Sequence, residues 1–113
     1  MNKYGAKRTY IDGLVFDSKR EAQYYKDYRL LVKSGEIKSM TLQPTFVLLA
    51  KCKNAEGKTI RSIKYSADFK LEYPDGRIEI IDVKSEATKK NAVYMLKKKL
   101  FESKYPYVIK EVS

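Results

Sequence analysis

Apolar and polar positions alternate most regularly over residues 63–73, where Ile63, Tyr65, Ala67, Phe69, Leu71 and Tyr73 interleave with Lys64, Ser66, Asp68 and Lys70. A period of two is that of an extended chain with two unlike faces, so the pattern predicts one β-strand carrying its polar residues on the side opposite the apolar set. Tyr73-Pro74-Asp75-Gly76 suits a type I turn closed by a left-handed glycine. It predicts an antiparallel return over residues 77–84 with Tyr73 opposite Arg77. Upstream, Tyr10-Ile11 and Leu14-Val15-Phe16 flank Asp12-Gly13, which predicts a short hairpin over residues 8–16. Ser18-Lys19-Arg20-Glu21 matches a capping box, and the chain then runs free of Pro and Gly to Gly35, which predicts a helix ending there. Residues 42–51, opened by Gln43-Pro44, predict a strand, and Asn54-Ala55-Glu56-Gly57 a loop before the next one. A helix is predicted over residues 87–104, with Val93, Leu96 and Leu100 as its buried stripe and Lys89, Lys90, Lys97, Lys98 and Lys99 in water. Pro106 lies beyond it, and residues 108–112 predict a last strand, parallel to its predecessor through a right-handed crossover. The expected architecture is a single α/β domain over residues 1–113, with a tail and hairpin at 1–16 and a mixed sheet flanked by two helices in the order hairpin-α-β-β-β-α-β.

Composition narrows the chemistry. The chain has no histidine, which removes Ser-His-Asp and Cys-His triads and histidine-ligated zinc together. Its single cysteine, Cys52, can form neither an intrachain disulfide nor a multi-cysteine zinc site, and reads as a small strand residue. Any catalysis must run on carboxylates, lysine and a hard metal. Twenty-four Lys and Arg against 14 Asp and Glu give a net charge of +10, a field that attracts polyanions, nucleic acid before an anionic membrane surface. No apolar run approaches the roughly 20 residues of a membrane span, and the N-terminus carries no apolar leader, so a soluble, cytoplasmic protein is expected.

If Tyr73 pairs with Arg77, counting back sets Asp68 opposite Asp82 and Ser66 opposite Lys84. Two carboxylates placed so repel by up to roughly 1 kcal/mol in a sheet and need either a raised pKa or an organising cation; a divalent ion such as Mg²⁺ or Mn²⁺, which prefers oxygen ligands, would relieve the repulsion. Asp82 and Lys84 stand two apart at the C-terminal end of their strand, with the Val83 carbonyl between them. Glu21 lies at helical spacing from Tyr24, Tyr25 and Tyr28, which turns it inward. It serves either as the reciprocal half of the capping box or as a third acid of the site, and the two roles are compatible.

These residues resemble a known family. Asp68 in Tyr-Ser-Ala-Asp-Phe, Asp82-Val83-Lys84 at the end of the next strand and Glu21 on a preceding helix look like the PD-(D/E)XK nuclease superfamily, with Ala67 where the naming proline would stand. The stretches Phe16-Asp17-Ser18-Lys19-Arg20-Glu21-Ala22, Leu42-Gln43-Pro44 and Leu96-Lys97-Lys98-Lys99-Leu100-Phe101 are most similar to small phage-encoded, Holliday-junction-resolvase-like members. The resemblance implies a restriction-endonuclease-like core and metal-dependent hydrolysis of DNA phosphodiester bonds. Asp68, Asp82 and the Val83 carbonyl would hold Mg²⁺ or Mn²⁺, Glu21 would complete the site or hold a second ion, and Lys84 would orient water and offset phosphate charge. Gln43 would support the site or simply face the turn before Pro44. Lys89, Lys90, Lys97, Lys98 and Lys99 would contact DNA phosphates or form a solvated helix face. Resolution of branched DNA would imply a homodimer cutting two strands symmetrically. The competing reading is a non-catalytic nucleic-acid-binding module on a nuclease fold.

Overall fold

The computed structural model describes residues 8–113, and the expected tail at 1–7 lies outside them. It is an α/β fold with mixed pairing and three helices. Strands β1 (Thr9–Ile11) and β2 (Leu14–Phe16) form the N-terminal hairpin, with Asp12 and Gly13 at φ 55° and 75°, the left-handed pair that a two-residue turn requires. Helix α1 (Lys19–Ser34) starts where the Ser18 Oγ accepts the Glu21 N–H at 3.1 Å, and Gly35 ends it at φ 87°.

Four strands make the central sheet: β3 (Ser39–Leu42), β8 (Phe69–Glu72), β9 (Ile78–Val83) and β10 (Ile109–Val112), in the order β10-β9-β8-β3. β10 runs parallel to β9, and the other neighbours are antiparallel. The turn at residues 73–77 sets the register as expected, with the Tyr73 N–H on the Arg77 carbonyl and Phe69 opposite Ile81.

The stretch read as one strand over 63–73 is two. β7 (Ile63–Ser66) pairs with β4 (Thr45–Leu49), while β8 pairs with β3 and β9, and the chain bends at Ala67-Asp68 between them. The opposite strand bends with it at Gln43-Pro44, where Gln43 takes φ 49°. Two hydrogen bonds carry the ribbon through the bend, Gln43 N–H to the Asp68 carbonyl at 3.0 Å and Ala67 N–H to the Pro44 carbonyl at 3.1 Å. Tyr65 and Ala67 therefore pack into one core and Phe69 and Leu71 into another, although the sequence alternates without interruption. Ser66 pairs with Thr45, their hydroxyls 2.8 Å apart, and not with Lys84 as the count from the turn implied; Lys84 bonds through its N–H to the Val112 carbonyl at 2.7 Å. Beyond β4 and β7 the ribbon continues outward into β5 (Cys52–Lys53) and β6 (Thr59–Ile60).

The two cores lie on opposite faces of the central sheet, as adjacent Ile80 and Ile81 on β9 show by entering one each. Phe16, Ala22, Tyr25, Ile37, Phe69, Leu71 and Ile81 fill the α1 side. On the other, α3 (Ala92–Lys104) contributes Tyr94 and Phe101 to Leu48, Tyr65, Ala67, Ile80 and Ile109. The helix expected over 87–104 is split, because Asn91 caps α3 by accepting the Tyr94 N–H and leaves α2 (Glu86–Lys89) as a separate turn. Its buried stripe also differs from expectation: Val93 and Leu96 are about 60% exposed. Aromatic rings bury more area per position than branched aliphatics, and Lys97 and Lys98, at helical spacing from both Tyr94 and Phe101, are half-buried on the same side. No helix among the described residues is long and apolar enough to cross a membrane.

Candidate active site

The bend at Ala67-Asp68 brings the candidate acids to one end of the central sheet. Asp68 sits one step past the ladder's last pair, Phe69 with Ile81, and so beside Asp82 on β9. Like charges there are not left bare. The Asp68 N–H donates to Asp82 Oδ1 at 3.0 Å, and the Val83 N–H donates to Asp68 Oδ2 at 2.8 Å. Each carboxylate accepts a backbone donor from beside the other, so two charge-assisted bonds offset part of the repulsion expected from the register. Asp82 Oδ2 takes a third bond, from the Tyr65 hydroxyl. Because Ala67 N–H goes to Pro44, the Val83 carbonyl, which points the same way as its N–H, receives no bond from that strand.

Glu21 reaches the same region from the first turn of α1. It is 7% exposed, and no described residue donates a hydrogen bond to its carboxylate. The capping box is thus half formed: Ser18 caps Glu21, and Glu21 does not return the bond. Glu21, Asp68 and Gln43 line a cleft of about 190 Å³ with Leu14, Val15, Phe16 and Leu42. Gln43 supports Asp68 through its backbone, and its left-handed φ follows from the bend.

Burial raises Glu21, Asp68 and Asp82, and repulsion within the group adds to it at Glu21 and Asp68. The Glu21 carboxyl is pushed up to about 7, first by burial, then by the charges of Asp68, Asp17 and Asp82, with Lys84 opposing. Asp68 rises to about 6, again chiefly by burial, although the Val83 N–H and Lys84 lower it. Burial raises Asp82 as well, against the Tyr65 hydroxyl, Lys84 and the Asp68 N–H. Burial beside Asp82 drives the Tyr65 hydroxyl far above its ordinary value, so it stays a proton donor. Lys84 holds its Nζ 4.8 Å from the centre of the Tyr94 ring, within cation–π range. Tyr94 in turn donates to Glu111 at 2.6 Å.

The sheet end therefore gathers Glu21, Asp68, Asp82, Lys84 and Gln43, but among the described residues no three His, Cys, Asp or Glu side chains converge into a group able to hold a metal ion as they stand. Both Asp82 oxygens already accept hydrogen bonds, from Tyr65 and the Asp68 N–H. The lysines proposed to meet phosphate are less free than the sequence suggested: Lys89 pairs with Glu86 at 3.2 Å and Lys98 with Glu111 at 3.4 Å, leaving Lys90, Lys97 and Lys99 without an ion pair among the described residues. Tyr65 and Asp17 went unnoticed as site residues. Tyr65 falls at a packing position and only its hydroxyl, invisible to periodicity, finds Asp82.

No curated protein and no solved structure matches the chain. Over residues 1–112 it matches, and so belongs to, the family described as protein of unknown function, DUF1064.

Proposed function

We propose that this chain is a Mg²⁺- or Mn²⁺-dependent endonuclease that hydrolyses DNA phosphodiester bonds, with the PD-(D/E)XK core and the preference for branched DNA implied by its sequence resemblance. The observation that carries the reading is the acidic centre of buried Glu21 and Asp82 and half-buried Asp68, held at one sheet end with the Lys84 ammonium nearby. Buried carboxylates raised together in this way are in want of a cation.

The donor set fits a hard divalent ion in its chemistry. Both Glu21 oxygens, Asp68 Oδ1 and the Val83 carbonyl take no hydrogen bond from the described residues, and all are oxygens. These would hold the ion, and Asp82 would join by releasing Tyr65 or would act through Asp68. When bound, such an ion supplies Lewis acidity and charge neutralisation at the scissile phosphate. Lys84, steadied by the Tyr94 ring, places an ammonium where negative charge develops. Tyr65 and the Asp68 N–H favour the ionised form of Asp82 against its burial and fix its rotamer. Buried apolar Phe16 and half-buried Leu14 and Leu42 narrow the access of water to the cleft.

Two further parts of the reading, action as a homodimer and residence in the cytoplasm, of the host if the chain is phage-encoded, rest on the resemblance. The engagement of both Asp82 oxygens, by Tyr65 and the Asp68 N–H, favours a second reading, a nucleic-acid-binding module without catalysis. Purified protein incubated with labelled branched, duplex and single-stranded DNA, with Mg²⁺, Mn²⁺ or EDTA, separates the two. Metal-dependent cleavage lost in Asp68→Asn and Asp82→Asn with binding retained is the expected result; binding without cleavage by the wild type under every metal condition would establish the second reading.

A further inference from the structure

Residues 49–64 are exposed at every position, although antiparallel pairs, Leu49 with Ile63 and β5 with β6, run through them. Among the described residues the outer ladder β5–β6 joins no other strand. An isolated two-stranded ribbon of this kind is marginal in water. This one is held in register from its base, through the bend at Asp68, across β4–β7 with a bulge between Val47 and Leu49. Its tip is also tied: Asn54 Oδ1 accepts the N–H groups of Glu56 and Lys58 at 2.9 and 3.0 Å, and the Asn54 N–H donates to the Lys58 carbonyl at 2.9 Å. The ordered arm buries nothing of its own, so its surface is free for something else.

Its charge says what. Lys51, Lys53, Lys58, Arg61 and Lys64 stand against one acid, Glu56, so the arm holds four of the chain's ten net positive charges. Glu56 meets only Lys58, at 3.8 Å and in full solvent. Lys51, Lys53, Arg61 and Lys64 have no ion pair among the described residues. From Ser66 to Gly57 the ribbon reaches about 30 Å at 3.3 Å per residue, which spans roughly nine phosphates of one DNA strand. A two-stranded ribbon fits the major groove of a duplex. A membrane surface is a poorer fit, because the tip is Asn54-Ala55-Glu56-Gly57, polar and acidic, with no aromatic residue to insert.

We infer that this arm is a DNA-binding element: the ribbon lies along duplex DNA and its four unpaired cations grip phosphates on the side of the strand reached by Asp68. It rests on the reading of DNA as the partner, but not on cleavage. The arm leaves the sheet at the residue pair that carries Asp68, so a duplex held along it is delivered to the candidate acids. Because the arm is already ordered, binding spends little on fixing its backbone.

The test measures binding in EDTA, where no metal-dependent cleavage occurs, by fluorescence anisotropy of a labelled 20-base-pair duplex across a salt series. The variant K51Q/K53Q/R61Q/K64Q changes only exposed residues and is compared with K26Q/K33Q/K38Q/R77Q, which removes the same charge from exposed positions away from the arm. The arm variant should bind roughly a hundredfold more weakly at 0.1 M salt, with a log–log salt slope smaller by about 3 to 4, and the control should lose much less. Equal losses in the two variants, or none in the arm variant, overturn the arm proposal while leaving DNA as partner. Failure of the wild type to bind at low salt overturns both this and the nuclease reading, as does tighter binding to phosphatidylserine vesicles than to DNA. Binding with the expected losses but no cleavage in Mn²⁺ supports the arm and overturns only the nuclease reading.

Discussion

Replacing Glu21 with Gln in metal-free buffer should make the protein more stable at pH 8, an unusual sign for a buried residue. The carboxyl rises from its ordinary 4.5 to about 7 in the fold, so the folded state prefers it protonated. A group raised in this way costs nothing below its unfolded value and destabilises progressively as pH climbs through its folded one. At about 1.4 kcal/mol per pKa unit the ceiling is about 3 kcal/mol above pH 7, and sharing of the repulsion with Asp68 and Asp82 brings the expected gain to roughly 1 to 3 kcal/mol. The glutamine keeps the shape, and with no hydrogen bond to the Glu21 carboxylate from the described residues, no such contact is lost. For a domain of this size each kcal/mol is worth about 4 °C, so thermal unfolding followed by circular dichroism should show Tm higher by roughly 4 to 12 °C at pH 8 and nearly unchanged at pH 4. Millimolar Mn²⁺ should then raise the Tm of the wild type and leave Glu21→Gln almost unmoved, since stabilisation by a ligand requires its site. If the variant is instead less stable at both pH values, Glu21 is a capping or packing carboxylate and the acidic centre loses its third member.

Lys84→Ala should lower turnover on DNA by on the order of a hundredfold while calorimetric Mn²⁺ affinity holds, because the ammonium acts on developing charge and is not a ligand; an unchanged rate would make Asp82-Val83-Lys84 a coincidence. Tyr65→Phe removes a donor that holds the Asp82 pKa down, so the acid limb of the pH–rate profile should move to higher pH, with turnover recovering above pH 8. Phe101→Ala should destabilise by about 3 to 5 kcal/mol in urea unfolding, whereas Leu96→Gln, on the exposed side of α3, should change stability by less than about 0.5 kcal/mol. The reverse order would restore the stripe read from helical spacing.

Turn chemistry made much of this fold legible. Asp12-Gly13 and Pro74-Asp75-Gly76 demand left-handed backbone at fixed positions, and the second of them set the register that puts Asp68 beside Asp82. The break at Ala67-Asp68 was not legible, because two strands on different cores share one alternating pattern when the bend falls between an apolar and a polar residue. Helix α3 is apolar on more than one side, and spacing alone cannot choose between Val93-Leu96-Leu100 and Tyr94-Phe101; the choice falls to ring size against the facing sheet. In the site, residue type announced the acids and Lys84. The bonds that shield them come from backbone N–H groups of Asp68 and Val83, which carry no mark in the sequence.

The succession of three antiparallel ladders, from Ser39–Glu72 through Thr45–Ser66 out to Lys53–Thr59, also governs how the chain can change length. A deletion in one strand of the outer ribbon leaves its partner a residue too long and forces a new bulge. Two residues removed from each strand keep every surviving side chain on its own face and shorten the reach by about 7 Å, with Asp68 undisturbed at the bend. Reach is thus a quantised variable, free to drift by insertion and deletion while the acidic centre stays in place.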